Sequence, residues 1–159
     1  MNNLFARINT MTSFTNVIIC GGFGKRLWPL SRENFPKPFI SILGNRPLFQ
    51  DTVDRNSSCK NYVIVTNEQL VYQCQYQLED VTSNRPSEYI LESHSRNTGP
   101  AILLAALNAS DEDILVVTPA DHYIYPVTEY EKTIETACRY ADQEAISLIG
   151  ISPTYPATE

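Results

Sequence analysis

The chain predicts an α/β domain, doubly wound, with a mostly parallel sheet and helices on both faces. Three observations carry this. Short apolar, β-branched runs recur along the chain, amphipathic segments separate them, and the first run leads straight into a glycine-rich turn. Runs that are apolar throughout belong to strands covered on both faces, which is the condition of a parallel sheet. In such sheets ligands bind beyond the carboxyl ends of the strands.

The elements follow in order. Residues 1–15 form a polar, irregular lead-in, and residues 16–159 form the domain. Strands are predicted at Asn16–Cys20, Asn61–Thr66, Glu88–Glu92, Asp113–Thr118 and Ala145–Gly150. Helices are predicted at Pro47–Arg55, Glu68–Asp80, Thr98–Asn108 and Thr128–Gln143. The last carries a capping box, Thr128-x-x-Glu131, and apolar residues at Tyr130, Ile134, Ala137, Cys138 and Ala141 on one face. Thr98 can cap the third helix, and Pro100 suits its first turn. The chain closes on "GISPTYPATE", just after a strand and with no closing helix, which reads as a truncated domain.

Composition narrows the function. The 159 residues suffice for one domain with a real core. A net charge of −6 argues against a nucleic-acid partner, which normally meets a basic face. Four cysteines (20, 59, 74, 138) without a CxxC pair suit free thiols in a reducing compartment. No apolar run approaches the ~18 residues that span a bilayer, and the start has no secretory pattern. A cytoplasmic protein with no membrane partner is expected.

Against this acidic background, five of the 12 Lys and Arg residues stand between Lys25 and Arg46, with Glu33 as the only acid among them. This stretch begins at the turn "GGFGKR", where backbone N–H groups can face a phosphate and glycine permits close approach. A dinucleotide fingerprint would need glycine at Leu27. A Walker A loop would need glycine at Ile19 and Ser or Thr at Arg26. Pro36 and Pro38 flank Lys37 and stiffen its backbone, which serves a lysine that must point at an anion. "RNTGPAI" places Arg96, Asn97 and Thr98 at a helix N-terminus, a natural phosphate position. Asp121 in "PADH" lies at the end of the fourth strand, and its bland role is a turn or capping aspartate. His94 and His122 do not pair into a zinc site.

"CGGFGKRLWPLSRENFPKPF" resembles the signature of sugar-nucleotide pyrophosphorylases, G-G-x-G-x-R-L-x-P-L followed by P-K-P. With Trp28, it is similar to the mannose-1-phosphate guanylyltransferase branch. "ESHSRNTGPAILLAAL", "VTPADHYI" and "GISPTYPATE" agree in order and spacing, so the resemblance covers residues 16–159. It implies a Rossmann-like nucleotide-diphospho-sugar transferase fold, of which this chain is the N-terminal part. It implies guanylyl transfer from GTP to mannose 1-phosphate, giving GDP-mannose and pyrophosphate. Gly21, Gly22, Gly24, Lys25, Arg96, Asn97 and Thr98 would bind the nucleotide, and Arg26 and Lys37 would act on the reacting phosphates. Asp121 would hold Mg²⁺. Two rival readings stay open: a non-catalytic nucleotide-binding or regulatory module of the same fold, and a nucleotidyltransferase using UTP or dTTP. The sequence does not set the oligomeric state and is compatible with a homo-oligomer.

Overall fold

The computed structural model describes residues 13–22, 27–32, 35–94 and 97–156. Four strands, β1 (Thr15–Ile19), β2 (Asn61–Thr66), β3 (Ser87–Leu91) and β4 (Leu115–Pro119), form one sheet in the order β3-β2-β1-β4. Every pairing is parallel. The helices are α1 (Leu48–Arg55), α2 (Val71–Val81), α3 (Thr98–Asn108) and α4 (Val127–Ala141). β1 begins at Thr15, and Phe14 just before it is already buried in the core.

Alternation along the strands sorts the core into two layers. Ile18 and Ile64 face one side, where Phe49 and Val53 of α1, Cys74 and Leu78 of α2, and Ile134 and Cys138 of α4 cover them. Val17, Val63 and Val65 face the other side and meet Ala101 and Ala105 of α3. Small residues let α3 lie close, while its outward side leaves Leu103 and Leu107 exposed. The chain steps outward from β1 to β3 with α1 and α2 on one face. It then crosses on the other face, through α3, to place β4 beside β1. The sheet therefore reverses its winding between β1 and β4. Asn16, fully buried, ties that junction: its side-chain amide donates to the Val116 carbonyl at 2.9 Å and to Thr118 Oγ1 at 3.0 Å.

Three expectations need correction. Ala145–Gly150 is not a strand. Glu144 adopts φ 62° and closes the end of α4 by donating to the Ala141 carbonyl, and the chain beyond pairs with no strand among the described residues. Strand-like composition needs a ladder partner, and without one Ile146 and Leu148 stay 95% and 93% exposed. The Thr128–Glu131 capping box does not form, because Pro126 already stands in extended geometry as the N-cap and starts the helix at Val127. Helix α2 starts at Val71 rather than Glu68. Asn67 Oδ1 accepts from the amides of Gln69 and Leu70, and this Asx-type turn occupies the residues before the helix.

Candidate active site

The carboxyl ends of β1 and β4 lie side by side at the point where the winding reverses, the place where open α/β sheets bind ligands. The ladder runs one step past the strands, since the Ala120 amide donates to the Ile19 carbonyl at 3.1 Å. The next residue after each strand end then lies at the rim: Asp121 after β4 and Ala120, and Gly21 after β1 and Cys20.

Lys37 reaches the same rim from a separate element. Pro36 is extended, and Lys37–Phe39 form one 3₁₀ turn. Pro38 and Phe39 are buried, and the Phe39 ring packs on Phe49 of α1 with centroids 5.7 Å apart. The turn is thus anchored by its neighbours while the lysine points outward. Lys37 Nζ meets Asp121 Oδ2 at 3.0 Å, across 84 residues of sequence. The two side chains are 31% and 36% exposed, so a ligand can reach both.

Gly21 is buried and Gly22 is exposed. A Cβ at Gly22 would meet no atom within 4 Å, so packing inside the chain does not require glycine there. Asn97 and Thr98 follow β3 on the same edge of the sheet. Asn97 is the N-cap of α3, in place of Thr98, and makes no side-chain capping bond. It adopts φ 67° and ψ −167°, a strained conformation of a kind that concentrates at ligand sites. Gly24, Lys25, Arg26 and Arg96 lie outside the described residues. His122 and His94 are exposed, and among the described residues no three His, Cys, Asp or Glu side chains cluster as a metal group.

Two contributors escape a reading by motif. Thr66, buried at the end of β2, donates through Oγ1 to the Cys20 carbonyl at 2.8 Å and so pins the last residue before the glycine turn. Its signal in the sequence is a hydroxyl closing an otherwise apolar strand. The second is Asn16, a buried amide within β1 that holds β4 against it. Contact with the Cys74 thiol, burial and the nearby charge of Asp121 push the Cys20 thiol well above its usual range. Cys20 is 1% exposed and packs in the core at the carboxyl end of β1.

Residues 15–159 match the family model described as nucleotidyl transferase. The chain is 35% identical over 153 residues to the xanthan biosynthesis protein XanB of Xanthomonas campestris pv. campestris, covering 93% of this chain and 32% of that protein. It is 38% identical over 147 residues to the mannose-1-phosphate guanylyltransferase of Salmonella montevideo, covering 91% and 31%. A solved structure described as mannose-6-phosphate isomerase from Helicobacter pylori superposes with a TM-score of 0.70 at 30% identity, over 82% of this chain and 47% of that one. The chain spans about a third of the length of the curated relatives it matches. A parallel sheet with a Lys–Asp pair at its switch point agrees with that match: the chain belongs to the nucleotidyl transferase family.

Proposed function

We propose that this chain carries the nucleotide-phosphate part of a site that transfers a guanylyl group from GTP to mannose 1-phosphate, giving GDP-mannose and pyrophosphate. The observation that carries the reading is the Lys37–Asp121 pair, one cation and one carboxylate held together at the carboxyl ends of β1 and β4. The name of the Salmonella relative supports the choice of base and sugar. With no membrane-spanning helix among the described residues, a cytoplasmic setting fits the use of soluble substrates.

In this reaction an oxygen of the sugar phosphate attacks the α-phosphorus of the nucleotide in line, the bond to the β-phosphate oxygen breaks, and pyrophosphate leaves. A phosphomonoester with a second pKa of about 6 is already a dianion at neutral pH, so no general base is needed. The demand on the protein is alignment and neutralisation of repelling anions. Gly21, Gly22 and Gly24 would bind the nucleotide through their backbone amides, and a Cβ at Gly22 would meet no atom within 4 Å. Lys37 neutralises charge at the reacting phosphates with Arg26, while Lys25, Arg96, Asn97 and Thr98 hold the rest of the nucleotide.

The donor set fits Mg²⁺, which is bound through one or two carboxylates together with substrate phosphates. Asp121 is such a carboxylate, accessible and placed beside the phosphate-facing lysine. When bound, the ion neutralises phosphate oxygens that Lys37 alone cannot. Without substrate, Lys37 and Asp121 compensate each other. The test is calorimetric titration of GTP, ATP, UTP and dTTP into the chain, followed by pyrophosphate release with mannose 1-phosphate and glucose 1-phosphate. Preference for GTP with mannose 1-phosphate is expected. Preference for UTP or dTTP moves the base assignment, and absence of any nucleotide binding rejects the site.

A further inference from the structure

A cavity lies away from this site, at the amino ends of the strands. It has a volume of about 400 Å³ between the end of α1 and the length of α4 from Thr128 to Cys138, within the size range of small-molecule sites. Phe14, Arg55, Asn56, Ile134 and Cys138 form a buried floor, and Phe14 and Asn56 precede β1 and β2, at the amino ends of the strands.

Arg55 is the unusual member. Its side chain is 6% exposed, donates to Thr52 Oγ1 at 3.2 Å, and lies over the Tyr130 ring at 5.1 Å. Its Nε is buried without a hydrogen-bond partner, and no carboxylate forms an ion pair with it among the described residues. Asp51, one turn back on α1, senses the charge but forms no ion pair with it. The carboxyl end of α1 supplies only partial negative charge. A buried guanidinium compensated by the Thr52 hydroxyl, the Tyr130 side chain and a more distant carboxylate, with its Nε unpaired, stays costly unless an anion completes it.

We propose that this cavity is a second ligand site, for a singly charged carboxylate carried on an apolar body. The apolar part matches Phe14, Ile134, Cys138 and the Tyr130 ring, and the carboxylate matches Arg55. The charge count favours a single negative charge. The rim adds Glu131 and Glu135, while Lys132 is already engaged by Glu129 at 2.8 Å. Among the described residues a doubly charged phosphate would meet one buried guanidinium, already bonded to Thr52, and two repelling carboxylates. The site stands on its own and does not depend on the nucleotidyl-transfer reading.

Benzoate is the probe, titrated into the ¹⁵N-labelled chain and followed by amide shifts. Saturable shifts at Asn56, Ser58 and Tyr130 are expected, with benzamide at least tenfold weaker and inorganic phosphate without saturation. Arg55→Gln should lose tenfold or more. Because Arg55 also packs on Tyr130, Ser58→Asp provides a variant on the exposed rim that leaves the floor intact. It should lose benzoate with an unchanged melting temperature. Equal affinity for benzoate and benzamide, unchanged binding in both variants, or shifts confined to residues 20–22 and 37 would overturn the proposal and leave Arg55 as a packing group of α1 and α4.

Discussion

Replacing Asp121 by Asn separates a site carboxylate from a structural one by the sign of its effects. The 3.0 Å pair with Lys37 joins side chains that are each about a third exposed. Such pairs contribute about 0–1 kcal/mol to stability. For a chain of this size the melting temperature should fall by no more than about 2–4 °C. The effect on nucleotide binding is larger and depends on metal. A unit charge roughly 4–6 Å from a phosphate is worth about 1–2 kcal/mol at this exposure, between the water and protein limits. That corresponds to a factor of roughly 5–30. In EDTA the carboxylate repels the triphosphate and occupies Lys37, so Asp121→Asn should bind GTP more tightly by that factor. In Mg²⁺ the same variant loses an ion ligand and should bind more weakly. Lys37→Ala should weaken binding in both media and cost about 2–4 kcal/mol of barrier in turnover. Titration calorimetry of the three proteins with GTP, in EDTA and in Mg²⁺, reads the affinities, while thermal melting and pyrophosphate release read the other two effects. Affinities of Asp121→Asn that move the same way in both media, or do not move, would show that Asp121 is a turn residue.

Other perturbations have equally specific outcomes. Gly22→Ala meets open space and a backbone outside the left-handed region. It should hold or raise stability by about 0.4–1 kcal/mol while weakening GTP, as calorimetric melting and titration would show together. Thr66→Val removes the donor to the Cys20 carbonyl and should cost about 1–3 kcal/mol. Denaturant unfolding measures that loss, and GTP affinity should fall with it as the glycine turn loosens. All four cysteines are free and at most 4% exposed, so a thiol reagent should label the native chain slowly and four thiols promptly in denaturant. Rapid native labelling of Cys20 would contradict its place under the site.

The parallel sheet was legible because its strands are apolar on both faces, and Asn61–Thr66 and Thr98–Asn108 match the structure residue for residue. What failed has local causes. Ala145–Gly150 has strand composition, yet composition does not reveal a missing ladder partner. The capping box at Thr128 was outcompeted by Pro126, one proline deciding where the helix begins. In the candidate site, Lys37 and Asp121 were each proposed from separate motifs, but their contact spans 84 residues and depends on the β1–β4 pairing. Thr66 and Asn16 were invisible to motif reading because each looks like an ordinary strand residue until its tertiary partner is known.

Paramagnetic mapping tests the metal–nucleotide assignment most directly. Mn²⁺ with GTP, added at sub-stoichiometric amounts to the ¹⁵N-labelled chain, broadens amide signals near the bound ion. Broadening centred on Ala120 and Asp121, reaching Gly22 and Lys37 and abolished by Asp121→Asn, is the expected result. Broadening centred elsewhere, or unchanged in that variant, would contradict a phosphate and metal site at the carboxyl ends of β1 and β4.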